Sequence, residues 1–230
     1  MPIFLDTGRI SEVERCLKMG IIRGVTTNPT ILLRSGVKGG RAAIKTVSVA
    51  IAKLIEPYPL SVEVTTNNPQ MMIEEAKEAS QWAKNIVIKI PVHGPEGELE
   101  NLEVAHDLES KLDIRVNLTA AMSAQQLFLG ALAGSTYVSL FGGRVNNMGY
   151  NCIEEIRKTR RVFESQNIRS KIIVGSTREV LNVIEWLEAG AHFVTVVPEL
   201  IKGMIVHPYS QETVRQFLED ARKAEQELTS

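Results

Sequence analysis

The chain has 230 residues and a formal net charge of −1, and its 44% hydrophobic and 23% charged residues are the balance of a globular protein. This length suits one α/β barrel or one to two smaller domains. A nearly neutral chain attracts neither nucleic acid nor an acidic membrane over a wide field, so we expect neither as a partner. Because no apolar run approaches a membrane span and the N-terminus lacks a signal-peptide pattern, we predict a cytoplasmic protein.

Short runs rich in Ile, Val and Leu alternate along the chain with longer amphipathic stretches. The predicted strands are Ile3–Leu5, Ile22–Thr26, Leu60–Val64, Ile86–Ile90, Ile114–Leu118, Tyr137–Phe141, Ile172–Val174 and Phe193–Val197. The predicted helices are Ser11–Met19, Arg41–Ile55, Pro69–Trp82, Leu99–Leu112, Ala124–Ala133, Cys152–Gln166 and Arg178–Ala189. Alternation of this kind indicates a parallel sheet. Eight units in this length favour a closed (β/α)8 TIM barrel over a doubly wound open sheet.

The sequence also predicts the number of domains and a final helix. No linker or low-complexity stretch interrupts the alternation, so we predict one domain over residues 1–230. A last helix from Glu212 to about Leu228 is strongly polar on one side. It is either the final barrel helix or an extra arm over residues 212–230 that packs on a neighbouring subunit.

Polar side chains interrupt or end the apolar runs, where the active site of such a barrel lies. They are Asp6, Thr27 and Asn28, Glu63, Lys89, Asn117 and Thr119, Ser139 and Arg144, and Ser176 with Arg178. This distribution predicts one site formed by side chains from many strands.

Lys89 carries the strongest chemical signal, because aliphatic residues flank it on both sides. Burial disfavours the ammonium form of an amine, and a neutral amine is what attacks a ketone carbonyl. The alternative is structural: Lys89 pairs with a buried carboxylate, either Asp6 or Glu63. As chemistry, those carboxylates would move the protons that Schiff-base formation and retro-aldol cleavage require, and Thr119 could hold a water beside the imine.

Arg144, Ser176 and Arg178 lie at or beyond late strands, where barrels often bind phosphate. Guanidinium groups and a serine hydroxyl suit an oxyanion. The alternative for each arginine is a surface salt bridge.

Nothing in the sequence predicts a metal or a dinucleotide cofactor. The histidines and cysteines show no ligand spacing; they are His93, His106, His192, His207, Cys16 and Cys152. No G-x-G-x-x-G motif follows a strand. We interpret the two cysteines as reduced thiols.

Seven segments, in order, resemble the transaldolase family and its small transaldolase and fructose-6-phosphate aldolase subgroup. They are Phe4-Leu-Asp6, Gly24-Val-Thr-Thr-Asn-Pro-Thr-Ile31, Ser61-Val-Glu-Val64, Ile88-Lys-Ile-Pro91, Asn117-Leu-Thr119, Tyr137-Val-Ser-Leu-Phe-Gly-Gly-Arg144 and Ser176-Thr-Arg178. The resemblance covers nearly the whole chain. It implies a barrel enzyme that needs no metal and no organic cofactor, and it implies homodecamers built from two pentameric rings.

The resemblance also implies a role for each matching residue. Lys89 would be the Schiff-base nucleophile, Asp6 the acid and base at the hydroxyl of the cleaved bond, and Glu63 with Thr119 the groups that position the catalytic water. The dihydroxyacetone part would contact Asn28 and Asn117, joined by Ser139, with Thr27 in the same signature. The anionic tail would lie on Arg144, Ser176 and Arg178.

Some positions depart from the family pattern and leave the substrate open. Asn146 and Asn147 replace acidic residues that often follow the arginine, and Gly142 is smaller than usual. The donor could carry a phosphate, as in fructose 6-phosphate, or a sulfonate, as in sulfofructose. Phe141 favours transfer of dihydroxyacetone to an aldehyde such as glyceraldehyde 3-phosphate over its release by a simple aldolase. A non-catalytic sugar-phosphate-binding barrel is the alternative from another class.

Overall fold

Eight parallel strands close into a barrel in the computed structural model, which describes residues 2–227. The strands are Ile3–Asp6 (β1), Val25–Thr26 (β2), Leu60–Glu63 (β3), Ile86–Pro91 (β4), Val116–Ala121 (β5), Tyr137–Leu140 (β6), Lys171–Val174 (β7) and Phe193–Val196 (β8). Each strand pairs with the next along the chain, and β8 pairs with β1. The predicted (β/α)8 barrel is therefore confirmed, and the open doubly wound sheet is wrong.

Residues 2–227 contain eleven helices. They are Ile10–Lys18 (α1), Pro29–Arg34 (α2), Gly40–Ile55 (α3), Pro69–Ser80 (α4), Glu100–Leu112 (α5), Ala124–Leu132 (α6), Gly142–Asn147 (α7), Cys152–Ser165 (α8), Val180–Glu188 (α9), Pro198–Ile205 (α10) and Pro208–Glu227 (α11). Several begin where a side chain accepts a hydrogen bond from the first turn, as Asn28, Ser123 and Asn151 do.

The barrel has two apolar layers, because successive strand residues face opposite sides of the sheet. Ile88 and Ile90 of β4 belong to the continuous core between the strands and the helices. Phe4, Tyr137 and Phe193 come from β1, β6 and β8, and their rings meet with centroids 4.5–6.4 Å apart. Because β1 and β6 are not neighbours, this aromatic cluster fills the barrel interior.

Three sequence predictions about individual elements need correction. The predicted strand Ile22–Thr26 shortens to Val25–Thr26, because the chain bends at Arg23. Two helices rather than the predicted one follow β2, and two also follow β6. The helix that directly follows β8 is α10, which was not predicted from the sequence. The last helix begins at Pro208 rather than Glu212. Its predicted end at Leu228, and residues 228–230, lie outside the described residues.

Within residues 2–227, no helix combines the length and the apolar character that crossing a membrane requires.

Candidate active site

The strand register places three polar residues side by side in the barrel wall. Glu63 of β3 pairs with Lys89 of β4, and Lys89 pairs with Asn117 of β5. Side chains of paired residues on neighbouring strands lie on the same side of the sheet. The flanking residues Ile88 and Ile90 face the helices, so the Lys89 side chain faces the barrel interior.

Lys89 is 4% exposed and is held by two acceptors. Its Nζ donates to the backbone carbonyl of Thr27 at 3.2 Å and lies 3.1 Å from Glu63 Oε2. Of the two carboxylates that the sequence offered as its ion-pair partner, Glu63 is the one in contact. The pair restricts the direction of the amine and leaves a carboxylate ready to exchange a proton with it.

Asp6 is the second acid of the site and ends β1. Thr26 Oγ1 donates to Asp6 Oδ1 at 2.6 Å, and the Thr26 hydroxyl also lies 2.5 Å from that of Thr195. Burial raises the pKa of Asp6 above its ordinary value, although the Thr26 hydrogen bond and the Lys89 charge lower it and the Glu63 charge raises it further. A carboxyl group with a raised pKa is a stronger base than an ordinary carboxylate and is suited to accept and return a proton.

Thr119 supplies a hydroxyl that has no partner within the described part of the chain. Its Oγ1 is buried, makes no hydrogen bond, and belongs to a residue that lines the central cavity. The next residue, Ala120, has a φ of 60°, and the β5–β6 register shifts between Leu118 and Ala121. Such an irregularity re-aims side chains at a strand end. A buried hydroxyl facing a cavity is a place for a water or a substrate atom.

Two arginines, Arg144 and Arg178, line the same cavity as the acids. The Arg144 guanidinium lies 5.1 Å from the centroid of the Phe141 ring, a cation–π contact that orients it. Arg178 follows β7, two residues beyond Ser176, which has a φ of 59°. Within residues 2–227 neither arginine forms an ion pair, so the surface-salt-bridge alternative finds no support here.

Gly143 permits the backbone around Ser176 to take this position. A Cβ atom on Gly143 would lie 1.9 Å from the Ser176 carbonyl oxygen and 2.9 Å from Arg178 Cγ. Neither contact is possible for a real side chain, so only glycine fits beside Ser176. The sequence showed the glycine pair without showing what it packs against.

A cavity of about 370 Å³ connects these groups at the C-terminal ends of the strands. Ten of the twelve predicted site residues line it, namely Asp6, Asn28, Glu63, Lys89, Thr119, Ser139, Phe141, Arg144, Ser176 and Arg178. The other two, Thr27 and Asn117, lie behind the lining. Thr27 offers its carbonyl to Lys89, and Asn117 accepts from Ser139 Oγ at 2.6 Å and donates to Ser61 Oγ at 3.1 Å. Asn117 therefore orients Ser139 in this structure.

Sequence reasoning missed Arg34 and Ala120 as lining residues. Arg34 ends the short helix α2, which Asn28 caps, and no hydrophobic pattern distinguished this helix from a loop. The positive φ of Ala120 could not be predicted from the sequence, because alanine is not a residue type that commonly adopts positive φ.

The arrangement provides a buried amine, two carboxylates within its electrostatic reach, a hydroxyl that has no partner among residues 2–227, and two arginines that form no ion pair among them. Such a set can attack a carbonyl, shuttle protons and hold an anion. Among residues 2–227, no group of three or more His, Cys, Asp or Glu side chains is placed to hold a metal ion.

Comparison with known proteins identifies the class that this fold and site define. Residues 3–230 match the family described as transaldolase/fructose-6-phosphate aldolase, so the chain belongs to that family and is an enzyme of the transaldolase type. Membership excludes the non-catalytic binding barrel that the sequence left open.

Curated relatives match along nearly their whole length. A probable transaldolase of Carboxydothermus hydrogenoformans is 37% identical over 220 residues, covering 96% of this chain and 97% of the relative. Probable transaldolase 1 of Bacillus cereus is 34% identical over 226 residues, covering 98% and 100%. A probable transaldolase of Dehalococcoides mccartyi is 33% identical over 220 residues, covering 96% and 97%.

Distant solved structures share the fold alone. A thiamine phosphate pyrophosphorylase from Pyrococcus furiosus has a TM-score of 0.60 at 10% identity, covering 85% of both chains. A flavocytochrome b2 variant with bound sulfite also has a TM-score of 0.60, at 14% identity, covering 87% of this chain and 58% of the other. At these identities the likeness supports the barrel architecture and no shared chemistry.

Proposed function

We propose that the chain is a class I transaldolase that moves a dihydroxyacetone unit from a ketose phosphate or sulfonate to an aldehyde acceptor such as glyceraldehyde 3-phosphate. The donor is fructose 6-phosphate or 6-deoxy-6-sulfofructose. The supporting observation is the position of Lys89, which lies beside Glu63 in a cavity that Arg144 and Arg178 also line. No metal and no organic cofactor takes part in the proposed reaction.

Covalent catalysis begins when the Lys89 amine attacks the ketone carbon of the donor. Glu63, whose Oε2 is 3.1 Å from Nζ, takes the ammonium proton. Loss of water from the carbinolamine then gives the imine, and that water needs a proton donor and a binding position. The unpartnered hydroxyl of Thr119 supplies the position, with Glu63 as the proton source.

Asp6 acts at the bond that breaks. Its carboxylate accepts the proton of the hydroxyl next to the scissile C–C bond, the aldehyde leaves, and the electron pair passes into the imine to form an enamine on Lys89. The acceptor aldehyde then enters, the enamine carbon attacks it, and Asp6 returns the proton. The raised pKa of Asp6 suits a group that holds a proton between these two steps.

The remaining polar residues fix the two ends of the sugar. Asn28, Ser139 and, through Ser139, Asn117 bind the dihydroxyacetone hydroxyls near Lys89. Arg144, Ser176 and Arg178 hold the anionic tail. Because Asn146 and Asn147 leave no carboxylate after Arg144, the neighbourhood suits either a phosphate or a sulfonate.

Transfer and release differ in what intercepts the enamine. We expect fructose 6-phosphate or sulfofructose to give no more than slow production of free dihydroxyacetone, and addition of glyceraldehyde 3-phosphate to give rapid transfer. Rates of both products, measured with and without the acceptor, test this. Dihydroxyacetone release that is as fast without acceptor as transfer is with it would assign the chain to the aldolases, the second candidate function.

The proposal includes a cytoplasmic homodecamer in which residues 1–230 form one barrel domain and α11 packs on a neighbouring subunit. Every described side chain from Ile205 to Gln226 is exposed, including Val214, Phe217 and Leu218 on one face of α11. The free, buried thiols of Cys16 and Cys152 suit a reducing compartment.

A substitution on α11 tests the assembly. Phe217→Glu should shift the sedimentation coefficient to that of a smaller species, because Phe217 is 67% exposed and carries the apolar face. Gln216→Glu, one residue away, is the matched control and should leave the assembly intact. A monomeric wild type, or an unchanged assembly in Phe217→Glu, would contradict packing through this face.

A further inference from the structure

A third arginine, Arg34, faces the same cavity and has no assigned part in the reaction. It lines the cavity together with Arg144 and Arg178. Its guanidinium makes no hydrogen bond or ion pair within residues 2–227. A guanidinium group without a protein partner that lines a cavity is able to bind an oxyanion there.

The end of α2 is anchored, so the position of Arg34 is defined. Ser35 Oγ accepts a hydrogen bond from the Gly8 backbone N–H at 3.1 Å, and Arg9 Nη2 donates to the Arg34 carbonyl at 3.5 Å. Leu32 of the same helix is buried, at 5% exposed. Arg34 therefore extends from a fixed backbone rather than from a free loop.

The side chains that line the cavity include more cations than carboxylates. Asp6 and Glu63 lie with Lys89 on the strands, where one acid is ion-paired with the amine. The arginines Arg34, Arg144 and Arg178 contribute three positive charges, and no ion pair with a carboxylate of residues 2–227 reduces them. The lining therefore has four cations and two carboxylates, and this excess of positive charge favours an anion in the cavity.

We propose that Arg34 is a third guanidinium that binds the anionic tail of the sugar, phosphate or sulfonate, and thereby sets the preference for anionic over neutral ketoses. The inference rests on the proposed function, because it names a further substrate contact of the same site. Since Asn28 caps α2 and Arg34 ends it, this one helix would contact both the dihydroxyacetone end and the tail end of the donor.

Substitution of Arg34 with a matched control tests this contact. In Arg34→Gln we expect KM for fructose 6-phosphate or sulfofructose to rise on the order of tenfold, with kcat changed less than about twofold, because a charge-assisted hydrogen bond is lost from an exposed residue. KM for the neutral donor fructose should not change, and Arg34→Lys should recover part of the loss. The anionic donor with the larger rise is the one whose tail reaches Arg34. Arg161→Gln removes the same charge from an exposed arginine of α8 that lies outside the cavity.

A binding measurement keeps this inference separable from the proposed reaction. Calorimetry with inorganic phosphate requires no turnover, and we expect its Kd to rise on the order of tenfold in Arg34→Gln but not in Arg161→Gln. Equal Kd values in the two variants, or a KM that rises by the same factor for anionic and neutral donors, would overturn the role of Arg34. If the proposed function is wrong, the wild-type protein turns over none of these donors. The Kd for inorganic phosphate in Arg34→Gln still shows whether Arg34 binds an anion.

Discussion

Gly143→Ala should damage the anion-binding end of the site while leaving the Schiff base intact. The added Cβ would lie 1.9 Å from the Ser176 carbonyl oxygen, and real Cβ atoms essentially never approach within 3.0 Å. The contact must therefore open by at least about 1.1 Å. Because Ser176 already has a φ of 59°, a left-handed conformation that costs a non-glycine residue roughly 1–2 kcal/mol, its segment has little freedom to adjust in place.

The displacement sets the size of the expected effect. Misplacing a binding group by about 1 Å costs on the order of 10²-fold in rate constants. We therefore expect kcat/KM for anionic donors to fall about 10²-fold, mainly through KM, since Ser176 and Arg178 hold the tail in the proposed reaction. Overpacking should also lower the free energy of unfolding by about 1–3 kcal/mol. Borohydride trapping with dihydroxyacetone, which has no tail, should change less than about threefold.

Steady-state kinetics, trapping and urea denaturation of the variant measure these three quantities. Gly203→Ala is the matched control, because its Cβ would meet only the end of the Val180 side chain at 3.0 Å. Equal losses with anionic and neutral substrates would show that Gly143 supports the whole barrel rather than the tail site. Wild-type kinetics in Gly143→Ala would refute the steric reasoning.

The other predictions concern the proton-handling groups. Asp6→Asn should lower kcat by about 10²–10⁴-fold. Asp6→Asn should also raise Tm at pH 7, because burial raises the folded-state pKa of Asp6 and its ionisation therefore destabilises the fold above the unfolded-state pKa. This gain in Tm should vanish below about pH 3.9, the pKa of an unperturbed Asp. An unchanged Tm at pH 7 would contradict this reasoning. Thr119→Val should lower kcat at least about tenfold without lowering the urea midpoint, because the hydroxyl makes no hydrogen bond within the described residues. A lowered midpoint with normal kcat would make Thr119 a structural residue.

The strand layout was predictable because buried parallel strands have a strong local signal. Runs such as Ile86–Ile90 are aliphatic on both faces, and a single lysine within such a run stands out. The polar residues at strand ends then converge automatically, since closure of the barrel brings all these ends to one face. This geometry explains why ten of the twelve predicted residues line one cavity.

The remainder depended on contacts that the sequence does not show. Nothing in the sequence favoured Glu63 over Asp6 as the partner of Lys89, and the register of β3 against β4 decides it. The sequence also does not show which polar side chains line the cavity. Ser139 lines it while its partner Asn117 does not, and Arg34 lines it although it was not predicted to. Short helices such as α2 and α7 lack enough residues for a periodic pattern.

Borohydride trapping followed by intact mass and peptide mapping tests the Schiff base on Lys89 most directly. With fructose 6-phosphate and sulfofructose as separate donors, we expect a mass gain of one dihydroxyacetone unit located on Lys89. Lys89→Met, which keeps the length of an apolar stem in a buried position, should fold, show no adduct and have no turnover. An adduct on another lysine, or turnover in Lys89→Met, would contradict the assignment of Lys89 as the nucleophile.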